Sequence, residues 1–337
     1  MNEQLDMSGR EDRPFVRLEP VAGRVSAPSM VIALHSSMDA GAAAQIVAEH
    51  LVGSLQHERV ATFDQDEVTD FHRNRPTIVY RDGQFTDLHT NQLVIDLVRD
   101  DEGTEMLLLH GQEPDLRWNR FTEEVLALVE RFGVTRAYVL QGFPTGVPHT
   151  RPVQITSHAS RPELLTEDEG IMGTLQFPAQ MSNVLEFSLG QAGRDTIGFS
   201  AAIPHYLAHH PYPAAAAALV RRLSNAGGFA LPVGELDAAA ARFETELASA
   251  VGEEASQHVR VLETQFDALR EAQPQLFSAD EPGGRDVPIP TADEIGAAAE
   301  AFLADLGESG DQPGHERTGE PTGEPGHEPT GEPGHER

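Results

Sequence analysis

Between Met30 and Gly228 this sequence switches repeatedly between two spacings of apolar residues, and that alternation limits the fold more than any other feature. Met30–Leu34, Arg59–Phe63, Leu93–Val98, Glu105–Leu109 and Val134–Leu140 are short runs with the length and branched content of buried strands. Segments of helical period lie between them. Ile46, Val47, Leu51 and Leu55 share one face, with Ser36, Ser37 or Asp39 available to cap it. Trp118, Phe121, Val125, Leu128, Val129 and Phe132 form a second stripe that stops at Gly133, where a C′ glycine belongs. Further helices are expected near Met181–Leu189 and from Pro213 to just before Gly227-Gly228. Val153–Ser157 and Thr196–Ser200 read as strands, and Thr77–Tyr80 with Phe85–Leu88 as a hairpin around Asp82-Gly83. Strands alternating with helices over roughly 200 residues predict one α/β domain at residues 28–233, with helices on both faces of a mostly buried sheet.

The flanks differ. Residues 1–27 are polar and broken by proline, and are read as a lead-in. Residues 234–306 form an acidic helical appendage, with Phe243, Leu247 and Val251 continued by Val259, Leu262, Phe266 and Leu269 at helical spacing. Thr291-Ala292-Asp293-Glu294 is a capping box for a last helix carrying Ile295, Phe302, Leu303 and Leu306. These stripes must lie against the core, each other or another subunit. Residues 307–337 repeat Gly-His-Glu and Thr-Gly-Glu-Pro units without one apolar side chain, which predicts a disordered tail.

The formal net charge is −30, and residues 235–306 contribute −12 of it from 16 acids and 4 Arg. Such a field repels phosphate backbones and anionic headgroups, so neither nucleic acid nor membrane is an expected partner. Cysteine is absent, which removes disulfides, thiolate nucleophiles and Cys-type zinc sites. The first twenty residues lack the basic start and apolar core of a signal peptide, and no apolar run is long enough to span a bilayer. A cytoplasmic protein is expected. Lysine is absent too, where about ten would be usual, so Schiff-base and P-loop-lysine chemistry are excluded.

No catalytic residue, metal ligand or cofactor motif is expected. Gly198-Phe199-Ser200-Ala201-Ala202 is like a nucleophile elbow with its last glycine replaced, but an elbow needs a helix straight after the serine, and Pro204 intervenes. His205 and His209 form an i, i+4 pair beside His210, without an adjacent third ligand. The stretch Gln141–Pro152 is the best ligand candidate, because it leaves the C-terminal end of a predicted strand, where α/β sheets form their crevices. Amides of Gly142 and Gly146, together with His149, Thr150 and Arg151, have the chemistry to hold an anion. The alternative is structural: Arg151 neutralises a carboxylate such as Asp64, Asp66 or Glu113 and fixes the loop. The structural reading is preferred.

The order of local motifs is more specific than any one of them. Ala61-Thr62-Phe63-Asp64 is followed by Arg75-Pro76, then by Gly111-Gln112-Glu113-Pro114 with Trp118. Gly142-Phe143-Pro144-Thr145-Gly146-Val147-Pro148-His149-Thr150-Arg151-Pro152 comes next, and Pro204-His205-Tyr206-Leu207 last. Over residues 28 to 272 this series resembles the proteasome assembly chaperone 2 family, in its actinobacterial branch. The resemblance implies a phosphorylase/hydrolase-like three-layer core and self-association, with a trimer as a candidate state. It also implies protein clients, proteasome subunits or associated factors among them. The hydrophobic-Tyr-X ending of proteasome-docking relatives is not matched by Gly334-His335-Glu336-Arg337, so docking through such a tail is not expected. The competing reading is a small-molecule pocket enzyme of hydrolase or phosphorylase type built on residues 141–152.

Overall fold

Four runs of branched and aliphatic residues associate side by side in the centre of the molecule: β2 (Ser29–His35), β7 (Glu105–Gln112), β8 (Arg136–Thr145) and β10 (Asp195–Pro204). They lie in the order β7-β2-β8-β10, all parallel. The computed structural model describes residues 14–90, 92–165, 174–250 and 252–272. The predicted last helix and tail lie outside the described residues.

Antiparallel strands extend this parallel centre on both sides. β6 (Val94–Arg99), β3 (Gln56–Phe63) and β1 (Val16–Leu18) follow β7, while β9 (Ile155–Ala159) closes the other edge beside β10. The result is a mixed eight-stranded sheet. Part of the predicted lead-in therefore belongs to the fold: Val16–Leu18 pairs with Ala61–Phe63, and Phe15, Val21 and Val25 are buried. The hairpin β4 (Thr77–Arg81) and β5 (Gln84–His89) stands apart as a two-stranded sheet. Asp82 and Gly83 turn it with φ of 50° and 89°, the paired positive values that an Asp-Gly turn accepts.

Helices cover both faces. α1 (Ala43–Ser54), α5 (Pro213–Gly227) and α6 (Gly234–Ala250) lie on one side, and α3 (Trp118–Arg131) and α4 (Met181–Gln191) on the other. β2 shows why its sequence is continuously apolar. Val31 and Ala33 face the α1 side while Met30, Ile32 and Leu34 face α3, so both sets are buried. Each large aliphatic side chain so buried contributes about 1.5–3 kcal/mol. The short α2 (Gln65–Val68) follows β3, and α7 (Glu253–Ala272) is the last described helix. No described helix is long and apolar enough to cross a membrane.

One strand exceeds its expected length. β8 runs through Gly142-Phe143-Pro144 to Thr145, a segment read from the sequence as loop. β2 accompanies it only as far as Ile32↔Val139, whereas β10 continues to Pro204↔Thr145. Beyond Val139 one edge of β8 is no longer paired with β2, and a proline that cannot donate is tolerated there.

Candidate functional site

Residues at the C-terminal ends of the parallel strands converge on one rim of the sheet, where several sequence-predicted residues collect. Gly142 places its backbone so close to the segment before α1 that a Cβ would stand 1.9 Å from the Ala40 carbonyl oxygen. Its N–H donates to Asp39 Oδ1 at 2.9 Å. Asp39 is buried and also receives the N–H groups of Ala44 and Gln45 at 3.0 and 3.3 Å, so of the three candidates it is the one that satisfies first-turn amides of α1, although the cap position itself is Ala42. Burial pushes its carboxyl up to about 6, against the lowering effect of these N–H bonds and with a further rise from Glu113. The amide of Gly142 is thus occupied by a carboxylate and is not free to cradle an anion.

Glu113 accepts the N–H of Met181 at 2.9 Å and so holds the start of α4. Burial raises its carboxyl above the usual range, the Met181 bond opposes this, and Asp115 adds to it. With Ser37, Arg73, Asp115 and Trp118 it borders a small cleft of about 150 Å³. Asp64 is placed elsewhere: it accepts the Asp66 N–H at 3.0 Å and starts α2. Gly146 has nothing within 4 Å of where a Cβ would be.

The loop after β8 serves to hold α7. Arg151 reaches neither Asp64, Asp66 nor Glu113. It forms a two-pronged pair with Asp267, Nε to Oδ1 at 2.8 Å and Nη2 to Oδ2 at 2.5 Å, and a third bond from Nη1 to Glu263 Oε1 at 3.1 Å. Thr150 donates to the same Glu263 oxygen at 2.5 Å. The pairing holds the Asp267 carboxyl below its usual range. His149 Nδ1 hydrogen-bonds the Tyr206 hydroxyl at 2.8 Å, and the His149 backbone N–H donates to the same oxygen at 3.0 Å. Burial lowers the His149 imidazole. The ring of His205 lies 5.5 Å from that of His258 on α7, so this one member of the histidine cluster joins the same contact. Among the described residues no group of three or more His, Asp or Glu is arranged to hold a metal ion.

A second polar arrangement was not anticipated. Ser200 sits in the middle of β10, and its Oγ lies 3.2 Å from Nε2 of His158 on β9. His158 Nδ1 lies 2.7 Å from Glu186 Oε1 on α4. A carboxylate only accepts, so Nδ1 carries the proton and the bare Nε2 accepts the Ser200 hydroxyl. Gln141 Nε2 donates to the same Oγ at 2.8 Å, and its Oε1 accepts from Asn183 Nδ2 at 3.1 Å and Gln180 Nε2 at 3.4 Å. Gln180 in turn accepts from Ser36. The strand register makes this possible. His158 faces Gly198 directly, and a Cβ at 198 would stand 1.9 Å from the imidazole Cε1. The glycine leaves room for the ring to lean diagonally onto Ser200. In the sequence the usable signal was the period of two that places Gly198 and Ser200 on one face; the elbow template concealed it.

The hairpin carries the most exposed apolar surface. Ile78, Tyr80, Phe85 and Leu88 are 52, 65, 70 and 63% exposed. Ile78 pairs with Leu88 and Tyr80 with Phe85, so all four share one face. The Tyr80 and Phe85 rings meet edge to face with centroids 5.5 Å apart.

Comparison with known proteins identifies the frame that carries these features. The family model described as the PAC2 family matches residues 33–251. A Mycobacterium tuberculosis protein of unknown function is similar at 38% identity, covering 78% of this chain and 92% of that one, with a TM-score of 0.74. A proteasome-assembly chaperone homologue from the same organism is 29% identical over 68% of this chain and 99% of its own, with a TM-score of 0.62. A PAC2 family protein from Streptomyces avermitilis is 30% identical over 69% of this chain and 99% of its own, with a TM-score of 0.61. Among curated proteins no significant match was found.

Proposed function

The chain belongs to the PAC2 family, and on that premise we propose that it is a cytoplasmic assembly protein that self-associates and acts on proteasome subunits or associated factors. The observation that carries this reading is the apolar face of the β4–β5 hairpin. A two-stranded hairpin is marginal in water by itself, and four large apolar side chains turned to solvent on one face give it an incentive to be covered. Covering the part of each that is still exposed contributes about 1–2 kcal/mol. We assign a second copy of this chain to that face, in keeping with the expected homo-oligomer. The similarity to a proteasome-assembly chaperone homologue supports the client class. Commitment of Arg151 to Asp267 and Glu263, and of the Gly142 amide to Asp39, supports an interaction protein over a pocket enzyme built on residues 141–152.

The test pairs two measurements on the full chain and on the double variant Tyr80→Ser, Phe85→Ser. Sedimentation gives the oligomeric state, and the rate at which isolated proteasome subunits form the core particle gives the client activity. The expected result is an oligomer that accelerates assembly, and a folded variant that is monomeric and slower. A monomeric wild-type chain, or an oligomer unaffected by the double substitution, removes the hairpin assignment. Assembly at the same rate with and without the wild-type chain removes the proteasome link.

A further inference from the structure

We propose that Ser200, His158 and Glu186 form a hydrolytic triad that cleaves carboxylic esters with an apolar acyl group, a function separate from the assembly role. The spacing is that of a nucleophile, its base and the group that orients the base: Oγ to Nε2 at 3.2 Å, then Nδ1 to a carboxylate at 2.7 Å. Three different elements, β10, β9 and α4, supply the three residues, and Gly198 makes the seat for the imidazole. Every bond in the line points the same way. Asn183 donates to Gln141, Gln141 to Ser200, Ser200 to His158 and His158 to Glu186. That direction leaves the serine hydroxyl poised to lose its proton to Nε2.

β9 is the edge strand of the sheet, and the His158 side chain is 35% exposed, so a substrate can reach the imidazole from solvent. Two positions further along β10 is Ala202, which pairs with Phe143 on β8. Two residues along a strand span about 7 Å. The Phe143 ring meets that of Phe177 at 6.1 Å, and both rings are exposed. This apolar surface next to Ser200 accommodates an alkyl or aromatic acyl chain.

In the reaction, Oγ bonds to the ester carbonyl carbon while its proton passes to His158 Nε2. Collapse of the adduct breaks the carbon–oxygen bond to the alcohol, which leaves with that proton. Water then repeats the sequence on the acyl-serine, releasing the acid and restoring Ser200. The Gln141 amide, held by Asn183 and Gln180, donates to Ser200 Oγ at 2.8 Å, and in the proposed reaction it turns from that oxygen to the oxyanion as the carbonyl adduct forms. Ser200 and His158 are the catalytic residues, and Glu186 is a positioning residue. With one side-chain donor instead of a pair, turnover should be slow, since one missing donor costs about 10²–10³ in rate.

The full chain is incubated with a fluorophosphonate that modifies activated serines, and the adduct is mapped by mass spectrometry. Hydrolysis of p-nitrophenyl butyrate is followed in parallel. One adduct on Ser200 is expected, with hydrolysis abolished by Ser200→Ala and by His158→Gln. Glu186→Gln should slow labelling by about 10²–10⁴, with Glu186→Asp restoring it. Circular dichroism establishes that the variants fold, and labelling of the wild type depends on no variant. An unmodified Ser200, an adduct on another residue, or ester hydrolysis undiminished in Ser200→Ala overturns the assignment.

Discussion

Replacing Gly142 by alanine perturbs the contact on which the rim of the sheet depends. The new Cβ would lie 1.9 Å from the Ala40 carbonyl oxygen and 3.2 Å from the Ala43 Cβ. Relief requires β8 or the segment before α1 to move by about 1 Å or more, given ordinary contact distances. Overpacking of this kind costs about 1–3 kcal/mol. The same movement stretches the 2.9 Å bond from the Gly142 N–H to Asp39, leaving a buried carboxylate one donor short. That adds about 1–3 kcal/mol. A combined loss of about 2–6 kcal/mol corresponds to a fall in Tm of about 5–20 °C for a domain of this size. Gly146→Ala is the control, because nothing lies within 4 Å of its added Cβ. It should stay within about 0.5 kcal/mol of wild type. Thermal and urea denaturation of the two variants make the comparison. If Gly142→Ala melts within a degree of wild type, the close approach of β8 to Ala40 is refuted, and with it the assignment of Gly142 to packing.

Asp39 should titrate with a midpoint near 6 in an NMR experiment on its carboxyl carbon, and a midpoint at or below 4 would contradict its burial. Because the folded chain then holds that proton from about pH 4 to 6 and the unfolded chain does not, stability falls as pH rises through this window. The loss from this one group is about 3 kcal/mol at 1.36 kcal/mol per unit. Arg151→Ala should loosen α7 without melting the core, because the pairs it removes lie at the surface. Hydrogen exchange should quicken within residues 253–272 while the core Tm moves by no more than a degree or two; unchanged exchange there would exclude the clasp.

Much of the fold was legible because burial on both faces or on one face leaves different periods in the sequence. The stripe from Trp118 to Phe132 became α3 with Gly133 at φ 73°, and the Asp-Gly turn became the hairpin it predicted. Ends of elements were harder to read. β8 continued past Gly142 because β10 kept pairing with it, and β1 formed from a polar segment because β3 offered an edge. The site was legible only where its chemistry was local. His149, Thr150 and Arg151 were visible as a cluster, but Glu263 and Asp267 come over a hundred residues later and join them only when α7 folds back. Ser200 was read against a strand-turn-helix template, whereas its neighbours His158 and Glu186 come from a paired strand and a covering helix. Diagonal pairing leaves in one strand only the small residue on the shared face, here Gly198 two before Ser200, and nothing in that strand names the partner.

The place of β2 in the sheet sets a timetable for synthesis. It is an early strand in the chain, yet both of its partners arrive late, β7 at Leu107–Gln112 and β8 at Arg136–Val139. A ribosome adding about 5–20 residues per second leaves Ser29–His35 without its second neighbour for on the order of 5–20 s. Until β7 emerges the nascent chain has only β1, β3, the hairpin and β6 with which to form sheet, and none of these pairs with β2 in the finished fold. A strand meant to be enclosed on both faces and both edges then has both edges and the face that awaits α3 open, and is the segment a nascent-chain holdase would find first.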